Sequence, residues 1–206
     1  MQIKKDEVKQ KLLDAARYEF MQHGFERASI RSIVKSAETT IGNFYNYFEN
    51  KESVFSSLVA DIYNGFSYVL ANHDNFAGSG MDDVDIYSID MLSLRPMISA
   101  EIQKVLFILD SSFLLLIEKS KGTKYENSKQ ELIDMMSVHF LMHIEETNPS
   151  YPHPEIGKVL AHQLIEGILS ILKTYKNMDE KLNMLTELMI YTIAGMIGIL
   201  KGEQND

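Results

Sequence analysis

The stretch SIRSIVKSAETTIGNFYNYF, Ser29–Phe48, decides the fold of the N-terminal part of the chain. Ser29 is a residue type that caps helix N-termini. The apolar residues that follow it recur at the spacing of one helical face: Ile30, Ile33, Val34 and Ala37. Only two residues separate this face from a second helix, which can begin at Thr40 and carries Phe44 and Phe48 on one side. The stretch therefore predicts two short helices joined by a tight turn.

Helices are also predicted on both sides of this stretch. The helix before it has an apolar stripe that ends at Gly24, a plausible left-handed stop: Val8, Leu12, Ala15, Ala16 and Phe20. Asn50 can cap a longer helix after it, with the apolar residues Phe55, Leu58, Val59, Ile62 and Phe66. Four helices are thus predicted before residue 73.

Two short helices at a fixed angle suit DNA, because one helix fits the major groove while the other braces it across the backbone. The apolar residues of the stretch can form a small core with the first helix. At about 100° per residue, Gly42 and Asn46 point away from this core, and Asn43, Tyr45 and Tyr47 lie on its flanks. The outer face is therefore predicted to be polar and aromatic, as a DNA-reading surface requires.

The longer segment HGFERASIRSIVKSAETTIGNFYNYFENKESVF, His23–Phe55, resembles the DNA-binding signature of the TetR family of bacterial transcriptional regulators. The resemblance covers about 50 N-terminal residues when the first helix is included. It is carried by Gly24-Phe25, Ser29-Ile30-Arg31, Gly42-Asn43-Phe44-Tyr45, Phe48 and Asn50-Lys51-Glu52. Such a combination is much more specific than a general helix-turn-helix pattern.

The resemblance implies a recognition surface and a set of phosphate contacts. The recognition surface would comprise Thr40, Ile41, Gly42, Asn43, Tyr45 and Tyr47, and the phosphate contacts would come from Ser29, Arg31 and Lys51. Asn pairs well with adenine, hydroxyl groups reach phosphate oxygens, and a lysine near a helix N-terminus adds to an anion-binding site. Ile41 would offer only apolar contact, for instance to a thymine methyl group.

The turn departs from the family pattern at two residues. Glu38 and Thr39 stand where the family usually has a glycine and an apolar residue. The turn geometry is therefore expected to differ locally, with the charge of Glu38 close to DNA.

The rest of the chain is also helical in pattern, so the predicted fold is all-α, with about nine helices. A loop is predicted at 71–83, followed by helical patterns at 84–94, 97–120, 125–147, 155–176 and 179–201. We expect two domains: a three-helix DNA-binding domain at 1–52, and a helical domain at 53–206, for which the resemblance implies effector binding and dimerisation.

The last two helical patterns carry wide apolar stripes. From Ile190 to Leu200 the final helix is apolar almost all round, and Ala194, Gly195 and Gly198 permit close backbone approach. We expect the helices at about 155–176 and 179–201 to form a homodimer interface, which suits a palindromic operator in double-stranded DNA. The alternative is that they are buried within one monomer.

Composition places the chain in a reducing, aqueous compartment. Cysteine is absent, the first ten residues show no secretory signal, and the longest nearly apolar run has 11 residues. These features predict a cytoplasmic protein without a membrane anchor. The net charge is −9, but residues 1–52 carry nine basic and eight acidic residues, so the acidity belongs to the remainder. Residues 1–52, here called the DNA-binding head, are therefore nearly neutral. A nearly neutral DNA-binding surface favours sequence discrimination over tight non-specific binding.

A small, largely apolar effector is expected in the larger domain, where Met and aromatic residues are concentrated. The candidate residues are Phe107, Asp110, Phe113, Met136, His139, Phe140 and His143. Each of them can equally be ordinary core, and Asp110 can instead pair with Arg95 or lie exposed on a helix edge. His139 and His143 have the i, i+4 spacing of metal ligands, but two histidines do not define a site, so we expect no metal and no cofactor.

No nucleophile with its base and no phosphate-binding loop is recognisable, so an enzyme is not expected. The favoured function is a ligand-responsive regulator, with repression implied by the resemblance. One alternative is a DNA-binding regulator whose C-terminal domain binds a protein partner. Another is an all-helical enzyme in which the N-terminal helices are only scaffold.

Overall fold

The computed structural model describes residues 2–71, 93–106 and 111–201, and in these ranges it contains nine helices and no strand. The helices are α1 (Gln2–Arg27), α2 (Ile30–Ser36), α3 (Ile41–Phe44), α4 (Lys51–Ala71), α5 (Arg95–Val105), α6 (Ser111–Glu118), α7 (Ser128–Thr147), α8 (Ile156–Thr174) and α9 (Met178–Lys201). The prediction of an all-α fold is confirmed.

Some predicted boundaries differ from the structure. The single pattern at 97–120 corresponds to two helices, α5 and α6, with residues 107–110 between them outside the described ranges. The pattern at 84–94 and the loop at 71–83 also lie outside them, apart from Ala71, Ser93 and Leu94. Ala71 ends α4, and Ser93 and Leu94 form a turn before α5. The segment at 121–127 is a series of turns, so α7 begins three residues later than its pattern predicted.

The chain divides into two compact units, residues 1–66 with 108–129 and residues 67–107 with 130–206. The first unit contains the predicted helix-turn-helix together with α6. The predicted domain boundary between residues 52 and 53 stays a prediction, since the division into units rests on compactness alone.

The core of the first unit is aromatic. Phe20, Phe44 and Phe55 are completely buried, and the rings of Phe20 and Phe55 meet edge to face with centroids 5.1 Å apart. Phe25 adds a third ring, 5.4 Å from Phe55. The predicted apolar faces supply the rest of the core: Leu12, Ala15, Ala16, Ile33, Val34, Ala37 and Phe48. The core that fixes the angle between the helices is thus confirmed.

In the second unit, glycines permit close helix packing. A Cβ on Gly167 of α8 would lie 2.9 Å from a methyl carbon of Leu188 in α9, and one on Gly157 would lie 3.3 Å from the Cβ of Phe140 in α7. An ion pair between Arg95 and Glu187 joins α5 to α9. The buried residues of α8 are Gly157, Ala161, Leu164, Ile165, Leu169, Ile171 and Leu172. One face of α8 therefore packs inside its own chain.

Much of the apolar surface of α9 is not covered by its own chain. The most apolar 18-residue window of the segment Met178–Ile199 has a mean hydropathy of 1.5, and only 22% of that window is buried. Within the described ranges it is the one helix long and apolar enough to cross a membrane, by length and composition only. Such a helix is weak evidence for a membrane, because core and interface helices meet the same criterion.

Candidate nucleic-acid interface

The turn between α2 and α3 contains a residue in the left-handed backbone region. Glu38 has φ 53°, and its N–H donates to the carbonyl of Lys35 at 3.2 Å. The next N–H, that of Thr39, donates to Val34 at 2.9 Å and closes the turn. A left-handed conformation costs a residue with a Cβ about 1–2 kcal/mol. Glu38 thus adopts a backbone conformation that a glycine would adopt without strain, and the expected local difference from the family's turn stays a prediction.

The helix α3 is a single turn, shorter than the length usual for a helix that reads DNA. Thr40 caps it, because its hydroxyl oxygen accepts from the N–H of Asn43 at 3.1 Å. Beyond Phe44 the chain tightens, since the N–H of Tyr47 donates to the carbonyl of Phe44 three residues earlier, at 3.0 Å. The buried ring of Phe44 thereby anchors a compact turn with its outer face directed away from the core.

Several residues of the predicted recognition surface are accessible in this arrangement. Tyr45 is 55% exposed, Ile41 is 42% exposed, and Thr40 and Gly42 are also exposed. A Cβ added to Gly42 would meet only the hydroxyl of Thr40, at 4.0 Å, so nothing within the chain requires glycine there. Asn43 and Tyr47 are half-buried at the edge of this surface. The roles of all these residues in DNA binding stay predictions.

The side chain of Asn43 takes part in a polar row that the sequence interpretation missed. Its amide nitrogen donates to the hydroxyl of Thr39 at 2.8 Å, and its amide oxygen accepts from Asn46 at 3.3 Å. Thr39, Asn43 and Asn46 follow one another at intervals of four and three residues, which places them on one face of a helical turn. This spacing was the available signal, and it adds Thr39 and Asn46 to the candidate surface.

The predicted phosphate contacts have different surroundings. Arg31 is exposed on α2, as a phosphate contact requires. Ser29 occupies the N-cap position of α2 in extended conformation, but its side chain makes no capping hydrogen bond. Its backbone N–H donates instead to the carboxylate of Glu19, at 3.0 Å. Glu19 is buried, so a residue of α1 fixes the start of α2.

Lys51 points towards backbone carbonyls of its own chain. Its ammonium donates to the carbonyl oxygens of Phe25, Ala28 and Glu26, at 2.6, 3.1 and 3.2 Å. Burial of the side chain lowers the pKa of Lys51, and the nearby Glu26 carboxylate opposes that shift. A phosphate contact by Lys51 stays a prediction, but it would have to compete with these three hydrogen bonds.

The candidate effector residues are distributed over both units. Phe107 and Asp110 lie outside the described ranges. Phe113 is completely buried in the first unit. In the second unit, Phe140 is buried, and the half-buried residues are Met136, His139 and His143. Their roles in effector binding stay predictions.

The two histidines of α7 lie against each other. The rings of His139 and His143 meet edge to face with centroids 4.5 Å apart, and Glu146 lies 3.8 Å from Nδ1 of His143. In the part of the chain that the structure describes, no group of three or more His, Asp or Glu side chains is placed to hold a metal ion.

The first unit has the form of a helix-turn-helix DNA-binding domain. Residues 12–58 match the family model described as bacterial regulatory proteins, tetR family. The N-terminal region of the chain is thus similar to that family, in agreement with the sequence resemblance.

Curated relatives match over the same region. The chain is 41% identical over 64 residues to the uncharacterized HTH-type transcriptional regulator YdgC of Bacillus subtilis, which is 31% of this chain and 33% of the relative. It is 36% identical over 62 residues to the probable HTH-type transcriptional regulator YttP of Bacillus subtilis, 30% of each protein. It is 30% identical over 86 residues to IcaR of Staphylococcus epidermidis, the biofilm operon icaADBC HTH-type negative transcriptional regulator, 41% of each protein. The matches thus span less than half of each relative.

Proposed function

We propose that the protein is a transcriptional regulator that binds a palindromic operator in double-stranded DNA as a homodimer. The observation that carries this proposal is the exposed polar and aromatic face of α3, held on a buried aromatic core. The matching relatives are named as transcriptional regulators, one of them as a negative regulator, which favours repression. The expected domains are the DNA-binding residues 1–52 and the effector-binding and dimerisation residues 53–206.

The dimer is supported by the open apolar surface of the last two helices. Val159 of α8 is 59% exposed and Tyr191 of α9 is 64% exposed. Among the described residues, nothing lies within 4 Å of a Cβ added to Gly195 or Gly198, so the backbone of α9 is open there to close approach. Two copies that pair through these faces would cover apolar area and present two reading heads related by a two-fold axis, which matches a palindrome.

The effector is proposed to be small and largely apolar, because Met136 and the aromatic residues of α7 supply adaptable apolar surface. Its binding would favour a conformation with lower operator affinity. We place the protein in the cytoplasm, where DNA is accessible to it, and assign it no catalytic activity and no cofactor.

Selection of bound sequences from random double-stranded DNA by the full chain tests the proposal. The expected result is an enriched palindrome whose half-sites lie about one helical turn apart or a multiple of it. An enriched site without symmetry would contradict the dimer, and the absence of any enrichment would contradict the DNA-binding function. Tyr45→Ala and Arg31→Ala are expected to weaken binding to the selected duplex, with Lys11→Ala, an exposed change on α1, as the control.

A further inference from the structure

We propose that Lys51 is a positioning residue of the DNA-binding head, whose ammonium fixes the junction between α1 and α2 instead of contacting phosphate. The junction comprises residues 24–29. The expected effect on DNA binding rests on the proposed function. The role of Lys51 in fixing the junction can be tested without DNA.

The ammonium of Lys51 is fully occupied within the chain. It has three N–H donors. Each has an acceptor within hydrogen-bond distance, namely the carbonyls of Phe25, Glu26 and Ala28 at 2.6 to 3.2 Å. The nitrogen also lies 4.4 Å from the ring centroid of Phe25, the geometry of a cation–π contact. No donor of Lys51 is left for a phosphate oxygen unless one of these hydrogen bonds is broken.

The end of α1 explains why a cation is needed here. Gly24, with φ 70° and ψ 165°, interrupts the helix, and α1 ends at Arg27. Carbonyls in the last turn of a helix lack partners in that helix and form the negative end of its dipole. The ammonium of Lys51 therefore satisfies the carbonyls of Phe25 and Glu26, in the short helical segment after Gly24, and the carbonyl of Ala28 just beyond α1.

The start of α4 does not explain the position of this charge. Lys51 is the first residue of α4, where the positive end of the helix dipole disfavours a cation. The residue is thus placed against the preference of its own helix, and its ammonium is held by the carbonyls of the junction. The dipole of α4 therefore does not account for a lysine at this position, whereas its hydrogen bonds to the junction do.

The junction is held by other groups as well. The carboxylate of Glu19 accepts from the N–H of Ser29, and the N–H of Phe25 donates to the carbonyl of Lys119 at 2.9 Å. Because α2 begins at Ile30, two residues after Ala28, the orientation of α2 depends on how firmly this junction is fixed. Loss of the ammonium would loosen the entry to the helix-turn-helix without removing a group from the DNA surface.

A positioning role and a phosphate contact predict different salt dependence. Each phosphate contact on duplex DNA contributes about 0.9 to the slope of log K against log salt. Lys51→Met in the full chain is expected to weaken binding to the selected duplex about tenfold at every salt concentration, with an unchanged slope. Arg31→Ala is the comparison, with an expected fall in slope of about 0.9. Lys11→Met, which removes one charge from an exposed position of α1, is expected to change neither the affinity nor the slope.

Amide hydrogen exchange on the free protein supplies the second readout. In Lys51→Met the amides of residues 28–34 are expected to exchange faster than in the wild type, and in Lys11→Met they are expected to be unchanged. A slope that falls by about 0.9 together with unchanged exchange would overturn the proposal. If no duplex is bound by the wild-type chain, the proposed function fails, and exchange alone decides the role of Lys51.

Lys51→Arg covers the case in which the methionine variant does not fold. Its planar guanidinium keeps the charge but does not match three converging carbonyls as a compact ammonium does. A positioning role predicts faster exchange at residues 28–34 and weaker binding. A phosphate contact predicts unchanged exchange with equal or tighter binding, and that result would overturn the proposal.

Discussion

The first unit and the C-terminal helices differ in how much of their apolar surface is buried. In the first unit, the rings of Phe20, Phe44 and Phe55 are completely buried. In α8 and α9, Val159 and Tyr191 are largely exposed, and the backbone at Gly195 has no neighbour from the chain. The aromatic rings of the first unit are therefore buried within the folded chain, where the ring centroid of Tyr125 also lies 6.3 Å from that of Phe55, while α8 and α9 leave exposed apolar side chains that the proposed dimer would cover.

This difference indicates where substitutions act. A change in the core of the head removes contacts within one chain, so it lowers stability at any protein concentration. A change on the open face of α9 removes contacts only in an assembly, so its effect depends on concentration.

The largest effect is expected for Phe44→Ala. Loss of a fully buried phenylalanine costs about 3–5 kcal/mol of the free energy of unfolding, and the support of α3 is lost with it. Urea unfolding measures the first effect and titration with the selected duplex the second. Tyr45→Ala is the matched control, because its 55% exposed ring is expected to matter for DNA binding and to change stability by less than about 1 kcal/mol. Equal stability of the two variants would contradict the described core.

The second-largest effect, a loss of dimer affinity, is expected for the double variant Gly195→Leu and Gly198→Leu. The chain itself has room at both positions, so each monomer should fold, whereas two added side chains would separate helices that approach closely in a dimer. Sedimentation velocity is expected to show a dimer dissociation constant raised at least about a hundredfold, or about 3 kcal/mol. Val138→Phe, at an exposed position of α7, is the control and should leave the dimer intact. If the wild-type protein is a monomer at micromolar concentration, the proposed homodimer is contradicted.

A smaller effect, an increase in stability, is expected for Glu38→Gly. Glycine adopts the backbone of this position, φ 53°, without strain, so the free energy of unfolding should rise by about 1 kcal/mol. Glu38→Ala removes the same charge but keeps a Cβ, and it should leave stability nearly unchanged. Thermal unfolding of the pair isolates the backbone contribution, while tighter DNA binding by both variants would report the removed charge. If both are equally stable, the left-handed turn is not strained.

The smallest change in stability is expected for Gly42→Ala. Because the space around Gly42 is open, alanine should stabilise α3 by about 0.5 kcal/mol through its helix preference. The same methyl group should weaken operator binding if the duplex approaches the backbone there. Thermal unfolding should thus show a higher melting temperature, while DNA titration should show a lower affinity for the operator. Unchanged affinity would place Gly42 outside the interface.

The sequence was sufficient for most of the helices that the structure describes and for most of the core around the helix-turn-helix, since repeated apolar spacing reports which faces are buried. It was less informative where contacts are not periodic. The turns at 121–127 and the length of α3 depend on local hydrogen bonds that apolar spacing does not record. The candidate effector residues could not be grouped, because their proximity depends on packing between distant segments.

Sequence by itself determined that Ser29–Phe48 forms a helix-turn-helix with an outward polar and aromatic face, since helical periodicity and capping are local properties. Only the tertiary structure decided that Glu38 has left-handed backbone and that Asn43 is held by Thr39 and Asn46. It likewise decided that Lys51 contacts the end of α1, 26 residues earlier in the case of Phe25. The physical reason is that the folded core brings these groups together, and neither helix propensity nor spacing specifies which distant carbonyls a flexible ammonium will reach.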